Sequence, residues 1–188
     1  MSKLWFFIAV PLFLAGCERE EIVHPFRTYV IHQGNHYASG HGGEFVQDQT
    51  FQFIATFDSS AIYTQQEASP RGVNKLRGFS DCGSAHHENS ARFGWEWIDS
   101  QLLIYAYTYA NSVRAYEVMG AVPLNRDVTY TIESVDGEYI FTYRSAGEIK
   151  VQRMKRGCSG KGGVRYLLYP YFGGEAVAPH DIRFKVMD

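Results

Sequence analysis

The sequence has little cysteine, no excess of basic residues and no second hydrophobic segment beyond its N-terminus. Only three cysteines occur in 188 residues, which excludes a cysteine-rich zinc site. Lysine and arginine number 18 against 20 acidic residues, so no basic surplus points to a nucleic-acid partner. Past residue 16, no stretch has the roughly 20 apolar residues of a membrane-spanning helix. These absences leave a single globular domain as the main expectation.

The first residues have the pattern of an export signal. Lys3 supplies a positive charge, an apolar run follows, and the small residues Ala15 and Gly16 precede Cys17. The tetrapeptide Leu14-Ala15-Gly16-Cys17 resembles the lipobox of bacterial lipoproteins. The alternative is an ordinary secretory signal followed by a chance cysteine.

The lipobox resemblance implies how the chain is processed and where it resides. In bacterial lipoproteins the signal is cleaved before the cysteine, whose thiol carries a diacylglycerol. Residues 1–16 are then the signal peptide, Cys17 bears lipid such as palmitate, and residues 17–26 form a short tether. Several acyl chains hold a protein stably on a membrane. Glu18, rather than aspartate, implies the outer membrane by this resemblance, facing either the periplasm or the exterior.

The remaining composition favours β-structure. The chain has 13 Tyr, 13 Phe, 3 Trp and 18 Gly, and apolar residues alternate along it, as they do from Phe51 to Phe57. About ten short strands without helices predict one antiparallel β-sandwich over residues 27–188. A jelly-roll of the concanavalin-like kind is favoured over a closed barrel, because the spacing between strands is unequal.

Individual strands follow from the alternation. Asp136-Gly137 separates two alternating runs and predicts a type I′ hairpin, in which both turn residues have positive φ. The predicted strands cover residues 28–32, 51–57, 91–98, 102–109, one or two strands within 113–124, then 129–135, 138–143, 148–154, 164–172 and 181–186.

Two cysteines remain after Cys17. In an oxidising envelope compartment, Cys82 and Cys158 are expected to form a disulfide. Two free buried thiols are the alternative.

The densest polar segment is 78–92, interpreted as a loop that enters the strand carrying Trp95 and Trp97. Arg92 is the candidate partner of an acidic sugar, because its planar guanidinium can pair a carboxylate through two hydrogen bonds. The alternative is a structural loop whose polar groups bond their own backbone. The candidate ligand-binding residues of this segment are Asp81, His86, His87, Asn89 and Arg92.

A second segment, 168–182, contains Gly173-Gly174 and His180-Asp181. The hypothesis is that loops 81–92 and 173–181 form one site. Alternation also places three tyrosines on one strand face, where they could stack on sugar rings or simply pack half-buried on the sheet. The candidate ligand-binding set is completed by Tyr105, Tyr107, Tyr171 and His180, with Tyr109 in the same row.

No metal, cofactor or catalytic residue is assigned. The histidines at 36, 41, 86 and 87 match no zinc-binding spacing, and the adjacent side chains of His86 and His87 are expected to diverge in an extended segment. If the protein is an enzyme, a polysaccharide lyase is the best match, although the strand motifs of the alginate-lyase family are absent. The candidates for neutralising a uronate or moving a proton are His87, His180, Arg92, Asn89, Tyr107 and Tyr171.

Three segments together, residues 74–81, 89–95 and 169–182, resemble a group of bacterial secreted or lipid-anchored proteins. They read Asn74-Lys75-Leu76-x-Gly78-Phe79-Ser80-Asp81, Asn89-Ser90-Ala91-Arg92-Phe93-Gly94-Trp95, and Tyr169-Pro170-Tyr171-Phe172-Gly173-Gly174 through Ala178-Pro179-His180-Asp181-Ile182. This resemblance implies architecture and compartment only.

The leading interpretation is a non-catalytic cell-envelope module that binds carbohydrate. The alternatives are a lyase acting on polysaccharide and a structural or assembly lipoprotein that binds another protein. The sequence predicts no oligomeric state.

Overall fold

The computed structural model describes residues 25–40, 42–64, 72–159 and 163–188. Cys17, the predicted signal peptide and most of the tether lie outside these residues. Over the described ranges, eleven strands form together with one short 3-10 helix, Ser59–Ala61. The strands are β1 (Arg27–Ile31), β2 (Thr50–Phe57), β3 (Asn74–Ser80), β4 (Asn89–Ile98), β5 (Gln101–Ala110), β6 (Val113–Val122), β7 (Val128–Val135), β8 (Glu138–Ser145), β9 (Glu148–Lys155), β10 (Leu167–Leu168) and β11 (Ile182–Met187).

The strands form two antiparallel sheets. The six-stranded sheet has the order β1-β11-β2-β7-β8-β9, and the five-stranded sheet has the order β10-β3-β4-β5-β6. Across the described strands the sheets stay separate rather than closing into a barrel, which confirms the predicted antiparallel β-sandwich. Within the same ranges, no helix has the length and apolar character needed to cross a bilayer.

Aromatic side chains from both sheets fill the core between them. The Phe93 ring lies 4.9 Å from that of Tyr130 and 5.2 Å from that of Phe141, centroid to centroid. Phe93 and Trp95 on β4 are fully buried. Because side chains alternate along a strand, this inward pair leaves Arg92 on the outer face of the five-stranded sheet.

Tight turns fix the register of the strands that carry this face. Asp99-Ser100 joins β4 to β5 and Asn111-Ser112 joins β5 to β6, with φ of 49°, 62°, 52° and 64°. Positive φ at both turn residues is what a type I′ hairpin requires. Asp136-Gly137 does join β7 to β8 as predicted, but the type I′ assignment is wrong: only Gly137 has positive φ, at 77°. Within this turn only Gly137 is in the left-handed conformation, which a residue with a Cβ adopts at a steric cost.

Two segments differ from the sequence-based expectation. The interpretation of 78–92 as a loop is wrong, because β3 continues to Ser80 and β4 begins at Asn89, leaving only 81–88 as loop. The strand β3 escapes detection because a register shift between Lys75 and Arg77 breaks its alternation. In 164–172, only Leu167–Leu168 forms a strand. Pro170, which has no N–H to donate, follows closely.

The predicted disulfide between Cys82 and Cys158 is present, with Cα atoms 6.5 Å apart. Cys82 lies in loop 81–88 and Cys158 follows β9. The bridge therefore ties one end of the five-stranded sheet to the edge of the six-stranded sheet.

Candidate functional site

Strand register arranges basic and aromatic residues in rows across the outer face of the five-stranded sheet. Arg92 on β4 lies opposite Tyr107 on β5, and Tyr107 lies opposite Tyr116 on β6. Lys75 on β3 pairs with Gly94 on β4. Gly94 lies two residues from Arg92 on the same face, so Lys75 is a diagonal neighbour of Arg92.

Lys75, Arg92 and Tyr107 of these rows form the floor of a groove of about 380 Å³, and Tyr116 is not part of its lining. Loop 81–88 contributes one wall and segment 169–174 contributes the other. Among the described residues that line it, none is a carboxylate. The groove is therefore basic and aromatic, and its principal side chains are Lys75, Arg92, Arg114, His87, Tyr107 and Tyr171.

Arg92 is the most unusual group in the groove. It is only 8 % exposed, and no described atom accepts a hydrogen bond from its buried Nε. Burial lowers the pKa of Arg92 to about 10, and the groups that oppose this lowering are tyrosines such as Tyr107 and Tyr166 rather than carboxylates. A buried cation without an anion is costly, so an anionic group bound here would relieve that cost.

Lys75 adds a second cation, which lies over two aromatic rings and also interacts with the charge of Glu96. Its Nζ lies 4.8 Å from the Tyr107 ring centroid and 5.9 Å from that of Tyr171. Burial, followed by the charges of Arg92 and Arg114, lowers the pKa of Lys75 to about 8. The amine therefore remains mostly protonated at neutral pH, and a bound anion would favour that state further.

The two adjacent histidines lie together at one wall. Their ring centroids are 4.1 Å apart, and His87 lies 5.2 Å from the ring of Tyr109. The expectation that these side chains diverge is wrong, because residues 86–88 form a turn rather than an extended segment. Burial and the charges of Arg92 and His87 lower the pKa of His86 to about 4. His86 is therefore a neutral imidazole at physiological pH.

Backbone pairing holds the opposite wall against the sheet. The Tyr171 N–H donates to the Lys75 carbonyl at 3.0 Å, and the Lys75 N–H donates to the Tyr171 carbonyl at 2.8 Å. The His36 ring stacks on Tyr171 at 5.1 Å with an interplanar angle of 9°, and Tyr37 meets Tyr171 edge-on at 5.0 Å. Tyr171 is thus fixed beside Lys75 by backbone hydrogen bonds and by packing against the His36 and Tyr37 rings.

Gly173 permits this wall to approach strand β3 closely. Its N–H donates to the Asn74 side-chain carbonyl at 2.7 Å. A Cβ at Gly173 would lie 2.1 Å from the Val73 carbonyl oxygen, far inside contact distance. Any other residue there would push the Tyr171 segment away from β3.

Asp81, a predicted ligand-binding residue, has a different environment. Its carboxylate is buried and accepts hydrogen bonds from Arg156 Nε at 2.7 Å, Arg165 Nε at 2.9 Å and the Tyr139 hydroxyl at 2.7 Å. Burial alone would raise the pKa of Asp81, but the hydrogen bonds from Arg156 and Tyr139 and the charges of both arginines lower it below the ordinary value. Asp81 anchors the core beside the disulfide and does not line the groove.

Three further predicted residues lie off the groove. The Asn89 side chain accepts from the Asn111 N–H at 3.0 Å and so braces the β5–β6 turn. Tyr105 lies on the same face as Tyr107 but packs beside Val73, outside the lining. His180 Nε2 lies 2.8 Å from the Ser60 carbonyl, next to the 3-10 helix. Of segments 81–92 and 173–181, His86, His87, Arg92 and Gly174 line the same groove, whereas His180 lies outside its lining.

Sequence reasoning did not single out several groove residues. Arg114 could have been found, as could Tyr116 next to the groove, since an Asn-Ser turn at 111–112 sets them opposite Tyr109 and Tyr107. Lys75 lies in a strand hidden by its register shift. Tyr37 reaches the groove through a bridge to Tyr171, for which no local signal exists.

No family model and no curated protein matches this sequence. Among solved structures, the alginate lyase from Klebsiella pneumoniae is similar with a TM-score of 0.48 and 9 % identity, over 73 % of this chain and 56 % of the lyase. A protein of unknown function from Saccharomyces cerevisiae has a TM-score of 0.46 and 9 % identity, over 78 % of this chain and 70 % of that one. The carbohydrate-binding module CBM66 from Bacillus subtilis has a TM-score of 0.36 and 10 % identity, over 78 % of each chain. Matches this distant carry no argument about ligand or activity.

Proposed function

We propose that this protein is a non-catalytic module that binds an acidic carbohydrate in the groove on its five-stranded sheet. The observation that carries the proposal is Arg92, a buried guanidinium whose Nε has no described acceptor, in a groove whose described lining lacks carboxylates. A sugar carboxylate would supply the missing anion, and the fork of a guanidinium matches carboxylate geometry. Lys75 and Arg114 favour the same charge.

The aromatic lining supports a sugar over a simple inorganic anion. Tyr107, Tyr109 and Tyr171 surround the basic groups. Tyrosine offers an apolar ring face and a hydroxyl that needs a hydrogen-bond partner. A pyranose ring presents both an apolar face and hydroxyl groups, so it complements this lining.

We further propose that Cys17 anchors the domain to the outer membrane. The support is the order of positive charge, apolar run, small residues and cysteine in the first 17 residues. The variant Cys17→Ser should remain unprocessed or become soluble on cell fractionation. Continued membrane association and detergent partitioning of that variant would contradict the anchor.

Binding is tested with the purified full-length chain in detergent on an array of mono- and oligosaccharides of glucuronate, galacturonate, mannuronate and guluronate, beside their neutral counterparts. We expect at least one uronate series to bind and the matched neutral sugars to bind far more weakly. Arg92→Met should abolish the binding, whereas Arg153→Met, which alters an exposed arginine on the other sheet, should leave it intact. Equal binding of neutral and acidic sugars, or none at all, would contradict the proposal.

A lyase is the second candidate, favoured by the imidazoles of His86 and His87, which line the same groove as Arg92. In β-elimination, Arg92 would neutralise the uronate carboxylate and an imidazole of loop 81–88 would take the C5 proton. The C4–O bond then breaks, a tyrosine hydroxyl protonates the leaving oxygen, and a C4=C5 double bond forms. Ultraviolet absorbance of that unsaturated product, appearing during the same incubations, would assign the enzyme; its absence with intact ligand assigns the binding module.

A further inference from the structure

We infer that the site takes at least two consecutive residues of an acidic sugar chain, the second lying on Tyr116 and Arg114 at the β6 edge of the sheet. This inference rests on the proposed function and assigns it an extended ligand. Neither residue has a structural task that the described contacts reveal beyond their packing on neighbouring rings.

Tyr116 continues the floor of the groove. Its ring lies 6.1 Å from that of Tyr107 with an interplanar angle of 10°, so the two faces are nearly parallel. Tyr107 is 4 % exposed, whereas Tyr116 is 40 % exposed. Along the row from Arg92, the first tyrosine is therefore buried and the second is exposed. The exposed Tyr116 ring offers a platform for a second sugar ring that extends out of the groove.

Arg114 lies at the junction of the groove and this platform. It lines the groove, it is opposite Tyr109 on β5, and its guanidinium carbon is 5.8 Å from the centroid of the Tyr116 ring. No ion pair between described residues involves Arg114. A second sugar carboxylate is thus matched by Arg114, which has no ion pair with a described residue.

The distance across the strands fits more than one sugar. Adjacent strands lie about 4.8 Å apart, so β4 with Arg92 and β6 with Arg114 are separated by roughly 10 Å at the backbone. One pyranose ring is narrower than this. The platform also continues along β6, because Val118, opposite Tyr105, is 53 % exposed. No described strand pairs with the outer side of β6, so the path is open at this edge.

The test compares affinities for a uronate monosaccharide and for its di-, tri- and tetrasaccharides, using the series that binds best on the array and the full-length chain. The wild type should bind the disaccharide or trisaccharide at least tenfold more tightly than the monosaccharide. Tyr116→Ala should lose most of this gain and keep its affinity for the monosaccharide. Tyr116→Phe should retain the gain, because the ring face is preserved. Arg114→Met should lose the salt-sensitive part of the affinity gain for the oligosaccharides, because it removes a charge whose attraction salt screens.

The matched control is Val151→Ala, which trims an exposed side chain on β9, the edge strand of the other sheet. It should leave both affinities unchanged. Equal affinities for monosaccharide and oligosaccharides, or a full gain in Tyr116→Ala, would overturn the inference while leaving the proposed function intact. Absence of binding by every uronate would overturn both.

Discussion

Arg92 is a buried cation for which the described residues provide tyrosines but no carboxylate. An unpaired buried polar group costs about 1–3 kcal/mol. Arg92→Met keeps a long apolar stem while removing the charge, so it should raise the free energy of unfolding of the unliganded protein by about 1–3 kcal/mol. Urea unfolding measures this. Arg153→Met should change stability by less than about 0.5 kcal/mol. A large loss of stability in Arg92→Met would assign Arg92 to the scaffold.

Lys75 makes anion binding depend on pH. The charged or titratable groups that act on it are Arg92, Arg114 and Glu96, and its pKa is lowered to about 8. Its charge is present below that pKa and is lost above it, so affinity for a uronate should fall about tenfold as pH rises from 7 to 9.5, as expected for the loss of one nearby charge in the site. Titrations across this range test the prediction. Lys75→Met should bind the uronate weakly at pH 7, and its affinity should change much less with pH. Parallel affinity profiles of the variant and the wild type would contradict the prediction.

Asp81 stabilises the fold as the shared anion of two buried arginines. Removing one partner of a buried charge pair costs about 3–5 kcal/mol, so Asp81→Asn should destabilise the protein by this amount in urea unfolding. Asp99→Asn, in an exposed turn, is the matched control. Because the folded pKa of Asp81 lies below 3.8, its contribution is present above that pH and is lost as pH falls through the folded pKa. The acid unfolding of Asp81→Asn should therefore be less steep than that of the wild type.

At the scale of elements, the β8–β9 turn carries a strained residue. Ala146 has a φ of 47°, in the left-handed region that costs a residue with a Cβ about 1–2 kcal/mol. Ala146→Gly should therefore raise the free energy of unfolding by about 1 kcal/mol. Ala115→Gly, on the exposed strand β6, should instead lower it by about 0.5–1 kcal/mol. Thermal or urea unfolding of the two variants tests the contrast; changes of the same sign would contradict the turn geometry.

Local patterns predicted those elements whose alternation is unbroken. The β4–β5 hairpin follows from the inward Phe93 and Trp95, which also places Arg92 on the outer face. The strand β3 could not be found, since the register shift after Lys75 puts Leu76 and Arg77 both in buried positions. The conformation of Asp136-Gly137 also escaped prediction, because a single glycine with positive φ can satisfy a turn.

The residues of the site could be predicted only in part from the sequence, for a related reason. Arg92 and Tyr107 lie on the adjacent strands β4 and β5, and His87 lies in the loop that leads into β4, so their placement is local. Tyr37 reaches the groove through a bridge to Tyr171, far along the chain, and Lys75 lies on a strand whose pairing with β4 is interrupted by a register shift. Such contacts depend on how the whole sandwich closes. The partners of Asp81 arrive in the same way, from segments far along the chain.

The whole molecule depends on the disulfide that links its two sheets. The Cys82–Cys158 bridge spans 76 residues, which in the chain-entropy account stabilises the fold by about 4–5 kcal/mol. The double variant Cys82→Ser/Cys158→Ser should lose roughly that much in urea unfolding. The wild type under reducing conditions should behave in the same way. An unchanged midpoint would show that the network around Asp81 joins the sheets without the bridge.

The structure of the full-length protein bound to a uronate tetrasaccharide is the most direct test of an acidic-glycan groove on the five-stranded sheet. The account predicts a sugar carboxylate within about 3 Å of the Arg92 guanidinium, one ring beside Tyr107 and the next over Tyr116. A sugar chain bound elsewhere, or one in this groove whose carboxylates leave Arg92 without a partner, would contradict it.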